Sequence, residues 1–237
     1  MTASERCDGN TESAVTTFRK GQRVRTSATW YQLIGFREIG RLLTGRYHRP
    51  RREAHLFAMV DLKGSTEAAE RLGDLRFHGL LDAFFADIAY AAAAAGADIH
   101  KYVGDEAILV WPSNAPAGIA DAAGFPFLVA NRIASRADWY RREFGIGPAF
   151  RAALHGGDVV AGEIGSTRRE LAFVGDALNT TARLMDVARD LDRDVVASAS
   201  LFAGAAPAGL AIEPQPPQRV RGKREPLDVV ALRRRDR

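Results

Sequence analysis

The chain has 237 residues, is 46% hydrophobic and carries a net charge of +4, which is typical of a soluble globular protein large enough to bury a core without disulfides. Its single cysteine, Cys7, cannot form an internal disulfide, and this favours the reducing cytoplasm. A membrane span and secretion are not expected, because the chain lacks an apolar run of about 18 residues and a signal-like N-terminus.

The first 52 residues are predicted to precede the main domain. Residues 1–28 are polar and are expected to form a disordered tail. Residues 29–52 are expected to form an amphipathic helix and a linker, because apolar residues recur at three- and four-residue steps from Trp30 to Leu43 before Pro50 interrupts the pattern. The helix could pack on its own domain, on a partner or on a membrane surface.

Positive charge is concentrated in the same segment. Between Arg19 and Arg52 there are ten Arg and Lys residues and one acidic residue, Glu38. This block is compatible with a solvated flank or with peripheral contact to an anionic membrane face. No interleaved aromatic residues follow it, so no nucleic-acid partner is expected. The expected location is the cytoplasm, at the inner membrane face if the block binds lipid.

The main domain is predicted to run from residue 53 to residue 237. Short apolar runs predict strands at 55–60, 99–103, 107–111, 150–154, 158–162, 171–174, 195–197 and 229–232. Helical periodicity predicts helices at 66–95, with a break at Gly73, at 116–143 and at 177–191. Strands and helices alternate, but hairpins interrupt the alternation, which predicts an α+β fold rather than a doubly wound sheet.

Two short motifs place carboxylates where strands are predicted to end. Asp61 ends the first strand, and the segment Lys63–Thr66 then opens a helix whose free N–H groups can hold phosphate. Asp105 lies at the tip of the predicted hairpin at 99–111. If this hairpin pairs beside the first strand, both carboxylates meet at one site, where they can hold metal ions for displacement at phosphorus. On its own, each motif also fits a strand end, a helix cap or a turn.

A third motif lies in the predicted helix at 177–191. Asn179 and Arg183 are four residues apart and therefore share one helix face. An amide and a guanidinium that project together can orient a ribose and stabilise charge on a phosphate. The pair alone also fits an ordinary solvated helix surface.

Together, these motifs resemble the class III nucleotide cyclase catalytic domain, from about residue 55 to residue 232. The matching segments follow the order of the family: FAMVDLKGST, HKYVGDEAILVW, ALHGGDVVAGEIGS and FVGDALNTTARL. The resemblance implies a ferredoxin-like, palm-type α+β domain with a mixed, mainly antiparallel sheet flanked by helices. It also implies an adenylate cyclase that converts ATP to 3′,5′-cyclic AMP and pyrophosphate in intracellular signalling, with residues 29–52 as a transducing segment.

The resemblance assigns metal and phosphate ligands. Asp61, Asp105 and the carbonyl of Leu62 would bind two divalent metal ions, Mg²⁺ or Mn²⁺. Backbone groups of the turn after the first strand would hold the β- and γ-phosphates; these residues are Lys63, Gly64, Ser65 and Thr66. Arg221 or Lys223 would bind the terminal phosphates, and the two remain alternatives.

The resemblance also assigns residues to the base, the ribose and the α-phosphate. Lys101 would hydrogen-bond adenine, Asn179 would orient the ribose, and Arg183 would stabilise the α-phosphate in the transition state. The sequence departs from the family at Ala172, where adenylate cyclases usually carry an Asp or Thr that pairs with the adenine amino group. Alanine has no hydrogen-bonding side chain, so base selection would depend on Lys101, on backbone groups or on a neighbour such as Glu170.

In the family, the metal-binding aspartates of one subunit face the Asn and Arg of the other, which implies a homodimer with two shared sites. The segment 168–173 would belong to an arm that crosses the interface. The alternatives are a guanylate or relaxed-specificity cyclase and a catalytically silent module that only binds partners. A dinucleotide-forming cyclase is a further alternative, but its Gly-Gly-Asp-Glu-Phe type signature is absent.

Overall fold

The computed structural model describes residues 46–112, 118–167, 169–202, 206–219, 223 and 225–235. The predicted tail at 1–28 and the predicted amphipathic helix lie outside the described residues, as do Arg168 and Arg221. None of the helices within these ranges is long and apolar enough to cross a membrane.

One mixed sheet forms the centre of the described region. The strands are β1 Arg51–Leu62, β2 Asp98–Val103, β3 Glu106–Pro112, β4 Phe150–Ile164, β5 Glu170–Val174, β6 Val195–Ser198, β7 Leu210–Pro214 and β8 Val229–Arg234. They run in the order β2-β3-β1-β4-β6-β8-β7, and β5 pairs with the second half of β4. Among these described strands, β4 and β6 pair in parallel and the other pairs are antiparallel. The predicted α+β class with a mainly antiparallel sheet is confirmed.

Helices flank this sheet. They are α1 Ser65–Leu72, α2 Asp74–Ala94, α3 Gly118–Ser135, α4 Ala137–Phe144 and α5 Asp176–Asp190, with a 3₁₀ turn at Ala199–Phe202. The predicted break at Gly73 is confirmed, and its φ of 73° is a conformation that glycine adopts without a Cβ penalty. The helix predicted at 116–143 is instead two helices, which are separated at Arg136.

The longest strand, β4, differs from the sequence prediction of two strands at 150–154 and 158–162. Gly156 and Gly157 stay in the strand because they pair with β1. A Cβ on Gly156 would lie 2.7 Å from a methyl carbon of Leu56, so the glycine permits close packing rather than a turn. The continuation of β4 also explains why β1 begins at Arg51, opposite Ala161, and not at the predicted residue 55.

The two faces of the sheet are covered by different helices. Leu56, Ala58 and Val60 of β1 belong to the core shared with α2, α3 and α4. Met59 faces the other side and packs against apolar side chains of α5. Because side chains alternate along a strand, Asp61 lies on the same face as Met59, next to α5.

A buried carboxylate connects the helices of the first face. Asp87 on α2 is fully buried and accepts hydrogen bonds from Arg132 Nε at 2.9 Å, Arg136 Nη1 at 2.6 Å and the Tyr140 hydroxyl at 2.7 Å. A buried charge is tolerated only when it is paired and hydrogen-bonded. This network therefore fixes α3 and α4 against α2.

Candidate active site

The two predicted metal-binding aspartates lie side by side at one end of the sheet. In the pairing of β1 with β3, Asp61 stands opposite Glu106, the residue that follows Asp105. The N–H of Leu62 donates to the carbonyl oxygen of Asp105 at 3.4 Å. The turn between β2 and β3 is closed by Gly104, whose φ is 62°. The hairpin tip is therefore held against the end of β1, which is the condition under which the sequence analysis expected the two carboxylates to meet.

The carboxylates at this position interact electrostatically. Burial raises the pKa of Asp61, and the nearby Asp105 acts in the same direction, whereas the hydrogen bond from Arg189 opposes the shift. Burial and the charges of Asp61 and Asp105 raise the pKa of Glu106 to about 7. Burial is the larger cause of both pKa shifts, and the neighbouring carboxylates add to it; a bound cation would oppose both effects by stabilising the ionised carboxylates.

The donor set is compatible with a hard divalent cation. No group of three or more His, Cys, Asp or Glu side chains within the described ranges is arranged to hold a metal ion. Mg²⁺ is usually bound through one or two carboxylates, with water and substrate phosphates as its remaining ligands. Asp61 and Asp105, together with the carbonyl at the end of β1, fit this pattern.

One basic residue that sequence reasoning missed lies in contact with this cluster. Arg189, in the last turn of α5, donates from Nη2 to Asp61 Oδ2 at 2.9 Å and from Nη1 to Asp186 Oδ1 at 2.8 Å. Its contact with Asp61 joins residues 128 positions apart. No local motif signals such a contact, because it arises only when α5 packs on the face of β1 that carries Asp61.

The turn after β1 has the geometry expected of a phosphate-binding segment. Gly64 has a φ of 66° and precedes α1, whose first turn contains Ser65 and Thr66. The first N–H groups of a helix have no partner within the helix and can bind an anion. The backbone N–H of Lys63 is already used, since it donates to the carbonyl of Ala149 at 2.8 Å. The N–H groups of the next three residues are therefore the better candidates.

The residues predicted to contact the base come together on β2 and β5. Lys101 Nζ donates to Glu170 Oε2 at 3.4 Å, and both side chains are about half exposed. Glu170 and Ala172 are two residues apart on β5 and therefore share a face of the strand. A packing contact between His100 and Phe173, with ring centroids 4.9 Å apart, connects the same two strands. A carboxylate thus lies beside Lys101 although position 172 has none.

The third predicted group lies on the first half of α5. Asn179 is exposed, and Arg183 is half-buried with its Nη1 atom buried. This Nη1 has no hydrogen-bond partner among the described residues. Lys223 bonds to Asp176 at the start of the same helix. Of the two alternatives for the terminal phosphates, Lys223 therefore lies close to the Asn179 end of α5, whereas Arg221 lies outside the described residues.

A partly buried histidine, also missed at the sequence level, lies near Lys223. Burial, together with the positive charge of Lys223, lowers the pKa of His155 to about 4. The Nδ1 atom of His155 is 2.7 Å from the hydroxyl of Ser198, which is fully buried. His155 is therefore neutral near pH 7.

A single chain does not bring the two halves of the predicted site together. Asp61 contacts α5 at Arg189, which is ten residues after Asn179 and six after Arg183. At a rise of 1.5 Å per residue, Asn179 lies about 15 Å and Arg183 about 9 Å further along the helix axis. The aspartates and the Asn–Arg pair are thus at separate positions of the same subunit.

Known proteins resemble the chain in sequence and in structure. No protein-family model matches it. It is 42% identical over 173 residues to adenylate cyclase 2 of Rhizobium meliloti (strain 1021), covering 72% of this chain and 47% of that protein. The chain therefore spans about half the length of this relative.

Two solved structures show the same fold. The adenylyl cyclase CyaB from P. aeruginosa has a TM-score of 0.65 and 18% identity, covering 80% of this chain and 98% of that chain. The guanylate cyclase domain of RhGC from Catenaria anguillulae, solved in complex with GTP, has a TM-score of 0.64 and 18% identity, covering 78% of this chain and all of that chain.

The sheet order and the flanking helices thus define the fold of a nucleotide cyclase catalytic domain. The 42% identity to adenylate cyclase 2 agrees with this fold and with the resemblance of the chain to the class III nucleotide cyclase catalytic domain. The solved relatives include adenylyl and guanylyl cyclases, so the fold by itself does not select the base.

Proposed function

We propose that the protein is an adenylate cyclase that converts ATP to 3′,5′-cyclic AMP and pyrophosphate. The observation that carries this proposal is the position of Asp105 next to Asp61 at the end of β1, beside a glycine turn and a helix N-terminus. This arrangement can hold metal ions and phosphates on adjacent sides of one site. The sequence relative named an adenylate cyclase supports the same activity.

In the proposed reaction, the ribose 3′-oxygen attacks the α-phosphorus, and the bond to the bridging oxygen of the β-phosphate breaks. The hydroxyl proton is lost to water, and pyrophosphate leaves. Asp61, Asp105 and the Leu62 carbonyl would hold two Mg²⁺ or Mn²⁺ ions, which supply charge neutralisation and acidify the 3′-hydroxyl. Arg183 would stabilise the charge that develops on the α-phosphate.

Orientation of the substrate would come from the remaining residues. The N–H groups at the start of α1 would hold the β- and γ-phosphates, Lys223 would contact the terminal phosphates, and Asn179 would orient the ribose. Lys101 would donate to the purine ring. Lys101 lies on β2 and Asn179 on α5, and positioning by such elements lowers the entropic cost of reaching the reactive geometry.

The proposed sites are shared between two subunits of a homodimer. Asp61 contacts α5 at Arg189, and Asn179 lies about 15 Å from Arg189 along the helix axis. This separation supports a site that takes the aspartates and the Asn–Arg pair from different copies. A two-fold dimer would bring the aspartates of one copy to the Asn–Arg pair of the other and form two equivalent sites. The size of the purified protein in solution, measured by light scattering, tests the dimer itself.

A second candidate function is a cyclase with relaxed base specificity. The observation that favours it is Ala172, which provides no side-chain hydrogen bond to the adenine amino group. Glu170 could accept that hydrogen bond because it lies beside Lys101. A carboxylate beside a lysine could equally accept from the N–H groups of guanine, so the pair permits both bases.

The test is an assay of the purified protein with ATP and with GTP, each in Mg²⁺ and in Mn²⁺. Adenylate cyclase activity predicts cyclic AMP as the main product and its loss in Asp61→Asn. Comparable rates with GTP would favour relaxed specificity. Absence of any cyclic product would contradict the proposal and favour a silent binding module.

The cellular location is proposed to be the cytoplasm, where ATP is available. The basic block at 19–52 would give peripheral contact with the inner membrane face. Sedimentation with vesicles that contain anionic lipid, compared with neutral vesicles at the same salt concentration, tests this contact.

A further inference from the structure

Arg189 occupies a position that the proposed metal chemistry does not explain. Its guanidinium contacts Asp61 at 2.9 Å, on the carboxylate that is proposed to bind metal. The Asp61 side chain is 12% exposed, whereas that of Arg189 is 46% exposed. The arginine therefore reaches from the helix surface towards a largely buried anion.

The arginine and a metal ion would be alternative counter-ions for the same carboxylate. Asp61 already experiences the charges of Asp105 and Glu106, and among the described residues Arg189 is the cation that contacts it. A divalent ion at Asp61 would lie close to the guanidinium, and the two positive charges would repel each other. Arg189 can withdraw at low cost, because it is half exposed and its other amino group already bonds to Asp186.

We propose that Arg189 is an internal competitor for the metal site, which neutralises Asp61 until a divalent ion displaces it. This inference rests on the proposed function, because it takes Asp61 as a metal ligand. It makes Arg189 a residue that sets metal affinity rather than one that contacts the substrate. The opposite role, in which Arg189 orients Asp61 for the metal, predicts the opposite change when the arginine is removed.

A matched control is available on β4. Arg151 pairs with Asp61 in the β1–β4 register and contributes a favourable charge to it, but its side chain bonds to Asp192. Arg151→Gln therefore removes one positive charge near Asp61, together with the ion pair to Asp192, without removing a hydrogen bond to Asp61. If Arg189→Gln increases metal affinity more than Arg151→Gln does, the difference measures how strongly Arg189 competes with the metal ion for the Asp61 carboxylate.

The experiment is a titration of the full-length, nucleotide-free protein with Mn²⁺, followed by calorimetry and by the electron paramagnetic resonance signal of free Mn²⁺. We expect Arg189→Gln to lower the Kd for Mn²⁺ by about three- to fivefold, the factor expected for loss of a partly exposed ion pair. Arg151→Gln should change the Kd by less than about twofold. Arg189→Met, another uncharged side chain of similar length, should reproduce the gain if Arg189→Gln folds poorly.

The possible outcomes distinguish a failure of the proposed role of Arg189 from a failure of the proposed metal site at Asp61. Equal or weaker Mn²⁺ binding by Arg189→Gln, or a gain no larger than that of Arg151→Gln, would overturn the inference. In that case, loss of binding in Asp61→Asn would leave the proposed metal site intact. If Asp61→Asn bound Mn²⁺ as well as the unchanged protein, both the inference and the assignment of Asp61 would be wrong.

Discussion

Subunit complementation follows directly from the separation of Asp61 and Arg183 within one chain. Asp61→Asn and Arg183→Ala should each abolish cyclase activity, because each removes one half of every site. When equal amounts of the two variants exchange subunits at random, half of the dimers contain one copy of each. Every mixed dimer has one site with both residues intact and one site with neither.

The expected activity of the mixture is therefore about one quarter of that of the unchanged protein, since half of the dimers have one of their two sites. The assay measures cyclic AMP after incubation of the variants alone and together, with exchange followed by a size tag on one variant. If Asp61 and Arg183 acted within the same subunit, all mixed dimers would be inactive. Verified exchange without recovery of activity would thus refute the shared-site geometry.

Three further predictions concern stability and base recognition. Asp87→Ala should lower the free energy of unfolding by about 2–4 kcal/mol in denaturant titrations, because it leaves two arginines and a tyrosine without their buried partner. Asp138→Ala, which breaks an exposed ion pair with Arg141, is the control and should leave the free energy of unfolding almost unchanged. Lys101→Ala should raise KM for ATP by roughly tenfold through loss of a charged hydrogen bond, and an unchanged KM would exclude Lys101 from the base site. The folded-state pKa of His155, about 4, lies below its unfolded value, so the unfolded chain binds more protons than the folded chain between these two pKa values. The free energy of unfolding should therefore fall by up to about 3 kcal/mol as the pH drops from about 6.5 to 4. His155→Gln should flatten that part of the curve of stability against pH.

Much of the fold could be predicted from local patterns. The hairpin at 99–111, the break at Gly73 and the helix that carries Asn179 are all encoded by neighbouring residues, and the structure confirms each of them. The errors in the strands occurred where pairing with a distant strand decides the outcome. Gly156 reads as a turn in sequence, but its pairing with β1 keeps it in a strand. The strand β7 was missed, and its place at the sheet edge depends on pairing with β8.

In the candidate site too, residues with local sequence signals could be predicted, whereas residues whose contacts depend on the packed fold could not. The aspartates could be proposed because each follows an apolar strand or a tight turn, and the structure places them next to each other. Arg189, Glu106 and His155 could not be proposed, because their environments exist only after the sheet and α5 have packed. The roles of Asn179 and Arg183 stay predictions, since they depend on a second subunit.

Product stoichiometry tests the central claim most directly. Purified protein incubated with ATP and Mn²⁺ should form cyclic AMP and pyrophosphate in equal amounts, without ADP, and Asp105→Asn should abolish both products. Formation of ADP and inorganic phosphate, or equal product formation by Asp105→Asn, would contradict a cyclase centred on the Asp61–Asp105 pair.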